Sequence, residues 1–294
     1  MITSWSPEQI EAFERDGFLI VEKGFIDQEA IEALRAAFGR LYAGEYETGI
    51  RPDEVNWVAG RDPEDRTRQI CNGWKADPVI AAQVLAERTG RLSAELMGWN
   101  GVRILQDNLI WKPPGTKSLG MHQDGSFLEY LIPSEMITCW IALDDTSAEA
   151  GTITYAAGSH RWPRSSENRG EFHAPVDWLA PVHRALPDGE ELRLVPIEVE
   201  AGGASFHHHL TFHGSGPNTA DVHRRACISH LVPAEARFHP VHVDPTYSRY
   251  RRVGDTAMDD SYFPVVWTRD GRRSGWLDAE LAEDVGGVLA ESGH

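Results

Sequence analysis

The sequence predicts a mainly β protein, an antiparallel sandwich or barrel with helices flanking it on the N-terminal side. Three observations predict this. Between about residues 101 and 235, β-rich or alternating runs follow one another across Gly, Pro, Asn and Asp turns, with no helical period between them. The first 100 residues instead carry three helix starts with capping residues. A chain of 294 residues at 41% hydrophobic content can also bury one large β-rich core.

Ser6-Pro7-Glu8-Gln9 opens a first helix, with Ser6 as cap, proline at the first helical position and Gln9 placed to close a capping box. The helix runs to about Arg15. Asp16-Gly17 is a turn signal, and Phe18 to Val21 is an apolar run of strand length. Asp27 caps a second helix, whose Ala30, Ile31, Leu34, Phe38 and Leu41 form a core-facing stripe. Residues 43 to 76 are polar and rich in Gly, Asp and Arg, which reads as a long irregular segment. Asp77-Pro78 repeats the cap-and-proline start, and two helical stretches to about Met97 are expected to break near Thr89-Gly90.

From Val102 the chain alternates. Val102, Ile104, Gln106, Asn108 and Ile110 fall on one face, with Arg103, Leu105, Asp107, Leu109 and Trp111 on the other. Gln106 and Asn108 suit either a partly solvated strand or one lining a polar pocket. Pro113-Pro114 ends the strand. Met136 to Leu143, Thr152 to Ala156, Leu192 to Val199, Ala204 to His209 and Arg224 to Ser229 read as further strands. Residues 161 to 190 read as an insertion between strands. After Pro233 alternation is lost, and an acidic tail with a terminal helix follows Trp267.

The formal charge of −17 disfavours nucleic acid and anionic membrane surfaces, which require basic patches. Cys71, Cys139 and Cys227 are odd in number and far apart, so neither a disulfide framework nor a CxxC zinc site is indicated. With no signal-peptide pattern and no apolar run of membrane-spanning length, a cytoplasmic location is expected.

The chemistry-bearing stretch is His122-Gln123-Asp124, answered by His213-Gly214-Ser215-Gly216-Pro217-Asn218 and Arg224. Residues two apart on an extended segment project to one side, so His122 and Asp124 can chelate one ion. Two imidazoles and a carboxylate form the facial triad of non-haem Fe(II) centres, leaving positions open for co-substrate and oxygen. A His-x-Asp triplet alone is weak, since about one is expected by chance in a chain with 13 histidines. His242-Val243-Asp244 is a second copy, read as a loop pair without metal. The run His207-His208-His209 points to alternating faces on a strand and so cannot converge on one ion. His160 reads as a loop residue. An arginine at 224 directed into a barrel requires an acid, from the protein or from a ligand.

These motifs resemble the phytanoyl-CoA dioxygenase family of Fe(II)/2-oxoglutarate oxygenases, over Ser6 to about Trp267. The opening helix with Asp16-Gly17-Phe18, His122-Gln123-Asp124, Cys139-Trp140-Ile141-Ala142-Leu143-Asp144, Gly158-Ser159-His160 and the His213 motif with Arg224 carry the likeness. The resemblance implies a double-stranded β-helix, or jelly roll, in one domain: a helical layer over about 1–100, the jelly roll over about 101–235 and an extension over 236–294. It implies that His122, Asp124 and His213 hold iron and that Arg224 pairs with the distal carboxylate of 2-oxoglutarate. It places Trp140 and Asn108 against the co-substrate, Arg68 near it, and Gln106 on the substrate side of the same site.

The implied reaction uses O2 and 2-oxoglutarate, with ascorbate as an aid in vitro, releases succinate and CO2, and hydroxylates an unactivated C–H bond of a small molecule. Halogenating relatives replace the acid at the position of Asp124, so its presence here favours hydroxylation or a related oxidation. A monomer or homodimer without nucleic-acid or membrane partners is expected. Two other classes stay open: a jelly-roll protein that binds metal or ligand without turnover, and a cupin-type isomerase or hydrolase. The substrate is not legible. Arg249, Arg251 and Arg252 could make an anion site, and Trp57, Trp74 and Trp111 an apolar pocket.

Overall fold

A computed structural model describes residues 2–165 and 172–277. The expected terminal helix lies outside them. Helix α1 (Pro7–Asp16) has the capping box, with Ser6 and Gln9 each bonding the other's backbone, and it ends at Gly17 with φ 81°. A Cβ there would meet the His160 ring and Thr211 Oγ1 within 2.7 Å, so glycine alone turns the chain into strand β1 (Phe18–Val21). Helix α2 (Gln28–Tyr42), capped by Asp27, buries the stripe Ile31, Leu34, Phe38 and Leu41. The segment read as irregular contains two short strands, β2 (Glu54–Val55) and β3 (Arg68–Cys71). Helices α3 (Pro78–Val84) and α4 (Glu87–Met97) follow.

The break falls at Leu85 and Ala86, not at Thr89-Gly90. Gly90 serves packing: a Cβ there would lie 2.8 Å from Val266 Cγ2 and 3.1 Å from Val102 Cγ2. It lets α4 approach the sheet.

The remaining elements are β4 (Gly101–Lys112), β5 (Leu119–His122), β6 (Leu131–Ile132), β7 (Ile137–Ala142), β8 (Ile153–Ala156), α5 (Ala180–Ala185), β9 (Leu194–Pro196), β10 (Ala204–His208), β11 (His213–Ser215), β12 (Arg224–Pro233), β13 (Arg237–Phe238) and β14 (Val265–Thr268). Two antiparallel sheets result. The larger has the order β1-β10-β7-β12-β4-β3-β2, with β14 added to β4, and the smaller has the order β5-β11-β8-β9. This is a jelly roll. Strands β6 and β13 pair separately.

Alternation along the larger sheet divides its side chains between two cores. Ile137, Cys139 and Ile141 of β7 join Leu34, Phe38 and Leu92 of the helices, whereas Trp140 and Ala142 pack with Ile153 and Tyr155 of the smaller sheet. Each fully buried aliphatic or aromatic side chain contributes about 1.5–3 kcal/mol, so the helical layer is firmly held to the sheet.

One register shift corrects the alternation expected for β4. Gln106 pairs with His230 but Ile104 pairs with Leu231, so Leu105 is an extra residue, a β-bulge. Val102 and Ile104 therefore face the helices, while Leu105, Gln106 and Asn108 line a cavity. The polar-pocket reading of Gln106 and Asn108 holds, and Leu105 changes face. Among the described residues, no helix is long and apolar enough to cross a membrane.

Candidate metal centre and co-substrate pocket

His122 on β5 and His213 on β11 are direct cross-strand partners, and their rings lie 4.2 Å apart. The chain reaches His213 differently from the sequence reading: β10 ends at His208, and a turn precedes a new strand that starts at His213 in the other sheet. Gln123 is extended (φ −111°, ψ 126°), which keeps Asp124 on the His122 side while its own amide bonds Leu210 O and Ser165 N.

Ligand atoms of His122, Asp124 and His213 lie within 4.8 Å of one another. Asp124 Oδ1 is 3.5 Å from each Nε2. Each Nδ1 donates to a backbone carbonyl, His122 to Gly120 O (2.9 Å) and His213 to Thr211 O (3.0 Å), which leaves both Nε2 lone pairs facing the same point. Burial and the neighbouring His122 push the His213 imidazole well below its usual range, so it stays neutral. Burial pushes the Asp124 carboxyl up, but the imidazoles packed around it and the hydrogen bond from His207 outweigh it and hold the group well below the usual carboxylate range. A neutral imidazole at His213 and an ionised carboxylate at Asp124 are protonation states that binding a divalent metal requires.

Two hydrogen-bond chains converge on Asp124 Oδ2. In one, Thr138 donates to Asp124 (3.0 Å), His230 Nδ1 to Thr138 (2.9 Å), and Asn108 Nδ2 to His230 Nε2 (2.9 Å), while Asn108 Oδ1 accepts from Gln69 and Cys71. In the other, His207 Nε2 donates to Asp124 (3.2 Å), Tyr155 to His207 Nδ1 (2.9 Å), and Ser205 to Tyr155 (2.8 Å). The donors take Oδ2 and leave Oδ1 for the metal. The fit to iron rests on this donor set, two nitrogens and one oxygen with fixed orientations.

Beside the triad is a small pocket of about 80 Å³, lined by Ile110, Trp140, Ile153, Ser215, Arg224 and Ile228 among others. Arg224 is 2% exposed and donates through Nε (3.1 Å) and Nη2 (2.6 Å) to Gly151 O. Burial pulls its guanidinium down to about 9, which still leaves it charged at neutral pH. Asp144, the nearest acid, is taken by Arg225 and Arg35. No carboxylate pairs with Arg224 among the described residues. Next to it on the paired strand, fully buried Lys112 donates to Ser215 Oγ (3.1 Å) and to Gly216 O, and burial with the Arg224 charge pushes its ammonium well down. A buried guanidinium without an acid suits the pocket to an anionic ligand, and Lys112 adds a hydrogen-bond donor beside it.

Among the sequence candidates, His122, Asp124, His213, Arg224, Trp140 and Asn108 all line this pocket. Arg68 does not. Alternation along β3 turns Arg68 outward, where it pairs with Glu64 (2.7 Å) and stacks on Trp57 (3.7 Å), and its neighbour Gln69 points in. Gln106 lines a separate cavity of about 380 Å³, with its carbonyl bound by the Tyr247 hydroxyl. That cavity adjoins the pocket that Arg224 lines but does not include Arg224.

The histidine run behaves as alternation requires: His207 faces Asp124, while His208 bonds Leu210 N and His209 the Met136 backbone. His242 lies apart from the triad, stacked on His239 at 4.1 Å. Sequence reading missed Lys112, Thr138, His207 and His230 as parts of the site. For Thr138 the signal was present, two residues from Trp140 on the same face of β7.

The model of the phytanoyl-CoA dioxygenase (PhyH) family matches residues 13–226. Peroxisomal phytanoyl-CoA dioxygenase of Rattus norvegicus is 24% identical over 242 residues, covering 79% of this chain and 70% of its own. A probable alpha-ketoglutarate-dependent hypophosphite dioxygenase of Stutzerimonas stutzeri is 28% identical over 235 residues, covering 78% of this chain and 79% of its own. Among solved structures, the non-heme alpha ketoglutarate dependent carbocyclase SnoK from nogalamycin biosynthesis superposes with a TM-score of 0.68 at 26% identity, over 90% of this chain and 97% of that one.

Proposed function

Because the chain belongs to the phytanoyl-CoA dioxygenase family of iron- and 2-oxoglutarate-dependent oxygenases, we propose that it hydroxylates a C–H bond of a small organic molecule, with release of succinate and CO2. The observation that carries the reading is the unpaired, buried Arg224 in the same small pocket as the His122, Asp124 and His213 cluster. A metal-dependent isomerase or hydrolase would not need a cation in that position, and a protein that only binds a metal has no need of it.

His122, Asp124 and His213 would hold iron, which when bound supplies the oxidising chemistry that couples 2-oxoglutarate decarboxylation to attack on the substrate. The chain itself orients and excludes. Arg224 meets the distal carboxylate of 2-oxoglutarate in a charge-assisted pair, and Ser215, whose oxygen accepts from Lys112, has its own proton free to donate there as well. Trp140, Ile110, Ile153 and Ile228 close the pocket against water. The chains ending on Asp124 Oδ2 fix the carboxylate so that one oxygen alone points at the metal.

Hydroxylation rather than ring closure is the finer part of the proposal. What Asp124 supports is hydroxylation or a related oxidation over halogenation, since halogenating relatives replace the acid at that position. Purified protein incubated with Fe(II), ascorbate, O2 and 2-oxoglutarate should form succinate, slowly without substrate. Absence of both succinate and 2-oxoglutarate binding would refute the oxygenase reading.

A further inference from the structure

The 380 Å³ cavity meets the inner pocket at His122, Asp124, Gln69, Asn108, Phe172 and His230, and so opens onto the metal ligands. Its electrostatics are opposite to those of the inner pocket. No lysine or arginine lines it, while Glu54 and Asp244 do, and neither carboxylate has an ion-pair partner among the described residues. Glu54 Oε1 accepts from Thr246 Oγ1 (2.5 Å). Asp244 Oδ1 accepts the N–H groups of Thr246 (2.7 Å) and Tyr247 (2.8 Å), which leaves its Oδ2 without a partner among the described residues. The three arginines that could have supplied an anion site are occupied elsewhere: Arg249 on Thr246 O, Arg251 on His239 O and Arg252 on Asp259. An aromatic wall faces the acids. Tyr130 and Tyr247 stack at 5.8 Å, and Phe127 stands at the cavity with 40% exposure.

From this we infer that the substrate carries a protonated amine on a ring-sized body, with the ammonium held between Glu54 and Asp244 and the ring laid on the Tyr130, Tyr247 and Phe127 side. The inference rests on the oxygenase reading for what happens to that substrate, but the charge preference belongs to the cavity. Carboxylates and aromatic faces together recognise an ammonium through ion pairing and the ring quadrupole. A substrate bearing CoA or a phosphorus oxyanion, as the names of two relatives indicate for theirs, finds no cation here. Opposite signs in the two chambers also separate the ligands, since anionic 2-oxoglutarate is attracted to Arg224 and repelled from the outer cavity.

The test is calorimetric titration of the protein with three probes of one ring body: tryptamine, tryptophol and indole-3-acetate. Tryptamine should bind about tenfold tighter than tryptophol, the size expected of a partly desolvated ion pair, and indole-3-acetate weakest. The double variant Glu54→Gln, Asp244→Asn should bring tryptamine and tryptophol to the same affinity, with thermal unfolding checking that it is folded. Asp244→Asn alone, which keeps the turn acceptor, carries the test if the pair does not fold. Tighter or equal binding of the carboxylate, no binding by any probe, or an amine preference that survives the substitutions overturns the inference. Iron-dependent 2-oxoglutarate binding is titrated in the same preparation: its presence without an amine preference overturns the substrate class alone, and its absence overturns the oxygenase reading.

Discussion

Arg224→Met separates the role of a buried cation in binding from its role in stability. In the free protein the guanidinium is 2% exposed and, among the described residues, bonds Gly151 O alone, so it carries a desolvation cost that the charge of Asp144 offsets only in part. Methionine fills much of the same volume and removes that cost, though it leaves Gly151 O without a donor, a loss of about 1–3 kcal/mol. The two terms oppose each other. Stability of the ligand-free variant should therefore stay within about 2 kcal/mol of the parent, from the same range of buried-polar costs.

Binding should behave quite differently. Removing one partner of a buried charge pair costs about 3–5 kcal/mol, so 2-oxoglutarate affinity should fall by roughly a hundredfold to several thousandfold. Lys112, bonded to Ser215 of the pocket wall, keeps a hydrogen-bond donor nearby and favours the lower end. Anaerobic calorimetry with Fe(II) measures the affinity, and thermal unfolding with and without 2-oxoglutarate measures the stability. An affinity within about threefold of the parent, well under the 1.4 kcal/mol of a tenfold change, would refute the assignment of Arg224 as the anchor. So would a large loss of stability with binding intact.

Three other outcomes are expected. His122→Ala and Asp124→Ala should each lose stoichiometric iron while His242→Ala retains it, read by metal analysis after gel filtration; retained iron in both of the first two would dissolve the proposed ligand set. His207→Phe should weaken iron about 10- to 100-fold without touching a ligand atom, because Asp124 Oδ2 loses one of its donors; an unchanged iron Kd would show that Thr138 alone orients the carboxylate. Burial raises the Asp107 carboxyl to about 7, against its bonds to Gly73 N and Trp74 N, so the folded protein holds a proton that the unfolded chain has released. Stability from this group is present below about pH 4 and lost as pH rises through about 7, by no more than about 4 kcal/mol. Asp107→Asn should flatten that part of the curve in urea unfolding, and parallel curves for the two proteins would exclude Asp107 as its source.

The helical layer was legible because its signals are local. Ser6, Asp27 and Asp77 cap helices with side-chain oxygens two or three residues from the backbone N–H groups they accept from, and such pairs can be read without knowing what the helix packs on. Where the reading failed, a distant partner decided. The bulge at Leu105 exists only in relation to the His230–Leu231 step of β12, so a window along β4 shows unbroken alternation and assigns Leu105 to the wrong face. Strand β3 is four residues long and pairs with β4 some 40 positions on, too short for a period to register. That omission led to the choice of Arg68 over Gln69, because without a strand there was no face to assign.

The same reasoning explains why the site was read in outline but not in depth. A metal triad needs particular residue types in one geometry, and His122 with Asp124 satisfies it within three positions of extended chain. Supporting residues need only a donor in the right place. Thr138, His207 and His230 come from β7, β10 and β12, adjacent in the larger sheet, and all three face Asp124 because the registers Thr138 with His207 and Thr138 with His230 align them. In sequence they are a threonine in an apolar run and two histidines among many. Their arrangement makes the His207→Phe result the sharper of the iron tests: losing a ligand must abolish binding in any metal protein, whereas a graded loss from a residue that touches only Oδ2 would measure what the sheet register contributes to the metal.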